Sequence, residues 1–93
     1  MLYQIVPGVR VEAVGEQWAA WSPANGETHL LNDESAAILE LLVEFGPLGT
    51  DEAARLLARE TGLEFQHLQA GIDLAWLPLE WAGFLRRIGH ATP

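Results

Sequence analysis

Residues 17–32 read QWAAWSPANGETHLLN: an apolar run, a turn, and a second run that ends on a helix cap. Pro23 fixes φ at a first corner, and Asn25-Gly26 tolerates the positive φ that a tight return requires. Ser22 and Glu27 therefore face each other. Counting outward pairs Trp21 with Thr28, Ala20 with His29, Ala19 with Leu30 and Trp18 with Leu31. Side chains alternate between the two faces, so each face carries one Trp. The pattern alone admits either parity, and the assignment taken places Trp18 and Leu31 on the core face.

Upstream, residues 9–14, VRVEAV, alternate strictly, with Val9, Val11 and Ala13 on one face and Arg10 and Glu12 on the other. Gly15-Glu16 separates this strand from Gln17 by the two residues of a type II′ hairpin. The result is a three-stranded antiparallel meander whose first and third strands are edges. Downstream, Asn32 stands where an N-cap belongs, with Asp33 and Glu34 complementing the dipole of a helix over residues 36–45. Its buried stripe is Ile38, Leu41, Leu42 and Phe45, and Gly46-Pro47 stops it. Thr50 caps a second helix over residues 51–61, with Ala53, Leu56 and Leu57 inward and Arg55, Arg59 and Glu60 outward; Gly62 ends it.

A third helix starts near Glu64 and carries Phe65, Leu68, Ile72, Trp76 and Leu79 at spacings of three and four, a stripe that runs through Pro78 and predicts a kink rather than a break. Leu74, Leu77 and Trp81 form a second apolar face, which means either deep burial or a face for a partner. Gly83 ends the helix. Residues 84–88 leave in extended or irregular form with Arg86 and Arg87 exposed, and residues 90–93 are expected to fray. The fold class is α+β: a single winged-helix-like domain over residues 1–93, a three-stranded meander followed by three helices.

Ninety-three residues bound one modest core. A hydrophobic content of 49% excludes a disordered chain, and no apolar run reaches the roughly 18 to 20 residues of a membrane span. The start, MLYQIVPG, lacks the charged region and cleavage site of a signal peptide, so a cytoplasmic protein is expected. Absence of Cys removes disulfides and thiolate chemistry. All five basic residues are Arg and 13 residues are acidic, giving a formal net charge of −8. Such a field repels nucleic acid and anionic membranes and favours a basic or neutral partner; it also serves plain solubility.

His29, His67 and His90 lie on a strand, a helix and a tail, without the spacing of a metal site. Neither a GxGxxG nor a Walker pattern occurs and no Lys exists to reach a phosphate, so no cofactor is expected. The acid pairs Asp33-Glu34 and Asp51-Glu52 sit at helix starts, where the dipole explains them. No catalytic constellation remains, and an enzyme is not expected. Winged-helix modules often bind DNA. Here residues 64–82 offer Gln66 and Gln69 but also Asp73 and Glu80, with no basic residue, which argues against it.

As a whole the chain resembles the PqqD-like peptide chaperones, or RiPP recognition elements, and is most similar to the branch of the HPr-rel-A system. The first half, VPGVRVEAVGEQWAAWSPANGETHLLN, carries the likeness in its W-x-x-W-S-P core, its G-E-T-H-L-L-N strand and the S-A-A-I-L-E-L-L helix that follows. Asp73, the run from Leu74 to Leu77 and the terminal G-F-L resemble the family's third helix and ending; Pro78 departs from it. The resemblance implies that the leader of a precursor peptide adds as a fourth strand beside the third strand, lies against the third helix, and is presented to a modifying enzyme, in this branch an HPr-kinase-like protein.

The residues suit that role. The third strand has no Lys, no Pro and no inward charge, so it lacks the usual protection of an edge. The candidate binding residues are Glu27, Thr28, His29, Leu30 and Leu31 on the strand and Gln69, Ile72, Asp73 and Trp76 on the helix. Asp73 reads as a groove-margin acid or as a plain solvated residue. Alternatively the edge is covered by the chain's own tail or by a second copy, so the protein is a monomer or an edge-paired homodimer, and a structural or oligomerising domain is the second reading. A lone module of this kind is expected to bind in the micromolar range or more weakly.

Overall fold

A computed structural model describes residues 1–24 and 26–89. Asn25 of the expected turn and the tail at 90–93 lie outside the described residues. The chain runs β1 (Leu2–Ile5), β2 (Arg10–Val14), β3 (Gln17–Trp21), β4 (Thr28–Leu31), α1 (Asp33–Phe45), α2 (Thr50–Thr61), α3 (Phe65–Trp81) and β5 (Leu85–Gly89). The meander β2-β3-β4 has the expected register: Trp18 pairs with Leu31, Ala19 with Leu30, Ala20 with His29 and Trp21 with Thr28. Gly15 has φ +62°, as a type II′ turn with Gly first demands, and among the described residues only glycines have positive φ. The core parity also holds. Ala20 is buried and Leu31 packs on the core, whereas Leu30 is 68% exposed.

The sequence pattern did not show a second sheet. Antiparallel β1 and β5 pair Ile5 with Leu85, Gln4 with Arg86 and Tyr3 with Arg87, so the first and last described segments close on each other. Tyr3 also bridges to Leu48 in the α1–α2 connection. Alternation is weak in both segments, and two short strands separated by the whole domain leave no turn signal to announce them.

Asn32 caps α1 through its Oδ1, which accepts from the Ser35 N–H at 2.7 Å. Ile38, Leu41 and Leu42 are buried as expected, with Ala36 and Leu39 beside them. Phe45, expected in that stripe, is 49% exposed, because the helix ends at Gly46 and its last turn overhangs the core. In α2 Ala53, Ala54 and Leu57 are buried and Leu56 is half-buried. Thr50 does not cap α2. Gly49 holds the cap position and Thr50 is the first helical residue, its hydroxyl engaged elsewhere. In β2, Val11 turns toward the core but Ala13 is exposed, since the strand end projects past the helices.

Helix α3 continues unbroken past Pro78 and buries Leu68, Ile72, Trp76 and Leu79. It closes with Gly83 at φ +85°, where the Gly83 N–H donates to Glu80 and the Phe84 N–H to Leu79, the Schellman arrangement that satisfies the last carbonyls. There the chain meets the hairpin: the fully buried Ser22 hydroxyl donates to the Gly83 carbonyl at 2.8 Å and accepts from the Ala24 N–H at 3.2 Å. Ser22→Ala would strand that carbonyl and is expected to cost about 1–3 kcal/mol in a denaturant melt. Leu31→Ala is expected to cost about 2 kcal/mol and Leu30→Ala under about 0.5; equal losses would contradict the observed parity.

Candidate functional site

Strand β4 is an edge of its sheet, paired among the described residues with β3 alone. Antiparallel pairs alternate between those that exchange hydrogen bonds and those that do not. The Ser22 N–H donates to the Glu27 carbonyl, so the backbone groups of Glu27, His29 and Leu31 turn toward β3 and those of Thr28 and Leu30 turn outward. The two-residue hairpin at Gly15-Glu16 gives the same phase from the other side, since it assigns Gln17, Ala19 and Trp21 to β2 and leaves Trp18 and Ala20 for β4. Two donors and two acceptors therefore line the open edge.

Inward from that edge lies a seam with α3. His29 meets Phe84 edge-on, with ring centroids 5.3 Å apart at 89°. Its Nε2 is buried without a hydrogen bond and lies 3.4 Å from Glu27 Oε2. At the other end of the seam, a Cβ on Gly71 would stand 2.9 Å from the Glu34 carboxylate, which places that flank of α3 against the start of α1. Gly71, Ala75, Pro78 and Ala82 recur at spacings of four, three and four and form this flank. All are small or compact, and at Gly71 the Glu34 side chain lies against the helix.

The nine residues expected to bind a partner fall into separate groups. Glu27 to Leu31 border the edge as anticipated, with Thr28 and Leu30 exposed and His29 and Leu31 turned inward. Ile72, expected to line the groove, is fully buried in the core. Gln69, Asp73 and Trp76 stand roughly 150° around α3 from the Gly71 flank at 100° per residue. There they fasten α3 to the start of α2: Trp76 Nε1 donates to Thr50 Oγ1 at 2.8 Å, Thr50 Oγ1 donates to Asp73 Oδ1 at 3.2 Å, and Gln69 Nε2 donates to Asp51 Oδ1 at 2.6 Å. Trp76 is 2% exposed and stacks on Tyr3 of β1, centroids 4.2 Å apart and planes 10° from parallel.

A pattern of threes and fours identifies the buried stripe but gives the two flanks equal weight, and Tyr3, the residue that claims one flank, was not legible as part of a sheet. The small-residue flank, Gly71 to Ala82, was missed for the same reason; its spacing was the available signal. Leu74 and Trp81, each 79% exposed, and Leu77, 42% exposed, form an open outer face of α3 rather than a buried one. Beside them Glu80 takes two guanidinium nitrogens of Arg87 at 3.0–3.2 Å, and this bond together with the carboxylate charge raises the Arg87 pKa above its ordinary value. No group of metal-ligating residues occurs among the described residues, and no helix there is long and apolar enough to cross a membrane.

Three solved structures share this fold. The PqqD truncation of Methylobacterium extorquens PqqCD, described as a functional, stand-alone RiPP recognition element, is similar at a TM-score of 0.75 and 20% identity, over 92% of this chain and 89% of that one. TbiB1, solved in complex with the TbiA(beta) leader peptide, is similar at a TM-score of 0.70 and 16% identity, over 96% and 99%. Lasso peptide synthetase B1, complexed with the leader peptide, gives 0.68 and 20%, over 91% and 98%. No protein-family model matches the chain, and no curated protein matches it in sequence. The α+β fold is thus that of PqqD-type recognition elements.

The α2–α3 fastening makes a test of its own. Thr50→Val, which deprives the buried Trp76 indole of its acceptor, is expected to cost about 1–3 kcal/mol, and Asp73→Ala, at an exposed site, about 1 kcal/mol or less. Denaturant melts in the reverse order would contradict the roles assigned to these two residues.

Proposed function

We propose that this protein is a non-catalytic peptide-binding adaptor: it captures the leader segment of a ribosomally made precursor peptide as a further strand on β4 and presents the peptide to a modifying enzyme. The observation that carries the reading is the open β4 edge, where the backbone groups of Thr28 and Leu30 turn away from β3 and no further strand pairs among the described residues. Main-chain bonds to an added strand supply affinity and the pockets for alternate side chains supply specificity. Two of the structures that share the fold hold leader peptides, which supports this occupant.

Within this reading Glu27 to Leu31 contact the peptide directly. Ile72 and Trp76 act from beneath, by holding α3 at its distance from β4, and Gln69 and Asp73 secure the far flank. The net charge of −8 favours a leader with basic or neutral character. The enzyme served is an HPr-kinase-like protein, as the sequence resemblance to the HPr-rel-A branch suggests.

Leu30→Pro tests the mode of binding. The substitution removes an N–H that points away from β3, at an edge position where proline is tolerated. A fluorescently labelled leader of the cognate precursor peptide is expected to bind the parent in the micromolar range and Leu30→Pro at least about fivefold more weakly, equivalent to about one backbone hydrogen bond. Circular dichroism is expected to stay the same. Undiminished affinity would exclude strand addition at β4.

A further inference from the structure

The outer face of the meander packs on no part of the core, and it meets the β4 edge only through the side chains of Thr28 and Leu30. Two adjacent rows across it carry charge, and beyond them Val14 stands opposite Gln17. Register places Arg10 opposite Trp21 and Trp21 opposite Thr28; one step along, Glu12 stands opposite Ala19 and Ala19 opposite Leu30. Arg10 and Glu12 are both exposed, and neither has a hydrogen bond or ion pair among the described residues. Trp21 is 37% exposed and Leu30 68%. A cation, a large ring and a hydroxyl thus fill one row; an anion, a methyl and a leucine fill the other.

We infer that this face is a self-complementary docking surface for a second copy of the chain, packed sheet on sheet about a two-fold axis that runs across the strands between the two rows. Such an axis lays β2 over β2, β3 over β3 and β4 over β4, with each strand reversed, and so exchanges the rows. Arg10 of one copy then lies over Glu12 of the other, Trp21 over the hollow at Ala19, and Thr28 over Leu30. Every residue and its counterpart are matched twice, as an isologous interface requires. One operation pairs plus with minus and large with small because the register fixes both rows together.

Charge selects this face for self-association. The protein carries a net −8, so two copies repel at most surfaces. The outer face of α3 is apolar too, but Asp73 and Glu80 border it and no Arg does except Arg87, which Glu80 holds. On the sheet face one Arg and one Glu balance. The pairing differs from edge-to-edge association through β4: it leaves both β4 edges open, on the same side and about 10 Å apart, so it does not depend on the peptide reading and does not obstruct it.

The test is charge reversal read by analytical ultracentrifugation of the whole chain from about 1 μM to about 1 mM, the range expected of a modest interface. The parent is expected to form a dimer within that range. Arg10→Glu and Glu12→Arg, each of which brings like charges together twice, are expected to weaken dimerisation at least about tenfold. The double reversal Arg10→Glu/Glu12→Arg is expected to restore it to within about threefold of the parent, and Trp21→Ser to leave a folded monomer by circular dichroism. A parent that stays monomeric at about 1 mM would overturn the inference. So would a double reversal no tighter than the single ones, or a dimer indifferent to all three changes but lost in Leu30→Pro, which would mark pairing through the β4 edge.

Discussion

The buried Ser22 hydroxyl, held between the Ala24 N–H and the Gly83 carbonyl, is the constraint on which the rest of the structure depends. It joins the last residue before the hairpin turn to the second residue after α3, and so ties two elements 61 residues apart in the chain. A buried hydroxyl must be satisfied, and only one placement of the hairpin against the helix end satisfies this one. That placement puts Phe84 under His29, starts β5 in line with β1, and fixes the separation between β4 and α3. The Schellman closure at Gly83 makes the carbonyl available, since its left-handed backbone turns the chain out of the helix at that residue.

The second fastening holds α3 from the other side. Thr50 receives the Trp76 indole and gives its own proton to Asp73, while Tyr3 covers the Trp76 ring. A residue that reads as a helix cap thereby becomes a clasp between two helices, with the cap position left to Gly49. The two fastenings hold α3 along its middle and just past its C-terminal end, which suits a surface that receives a strand without rearrangement, because ordering costs then fall mainly on the peptide.

Local rules carried much of this fold. Register followed from Pro23, Gly26 and the count between them; α1 followed from Asn32 and its acids; the core stripe of α3 followed from spacing. Each depends on neighbours within a few residues. What depends on distant neighbours was not legible: the β1–β5 pairing, the conversion of Thr50, and the exposure of Phe45 where α1 outruns the core. The candidate site divided along the same line. Its strand half came from the hairpin and stands at the open edge. Its helix half came from periodicity, which cannot tell one flank from the other until Tyr3 and Glu34 take their places on opposite sides.

Among the described residues the sheet has two open edges, β2 and β4, and only β4 has His29, whose ring meets Phe84 just beyond α3. Alternation turns the amides of Thr28 and Leu30 outward on one edge and those of Val11 and Ala13 outward on the other. Amide hydrogen exchange of the protein, free and with the precursor leader bound, therefore tests the central claim most directly. The account predicts fast exchange at all four amides in the free protein and marked slowing at Thr28 and Leu30 alone in the complex. Slowing at Val11 and Ala13 instead, or at none of the four with the leader demonstrably bound, would contradict it.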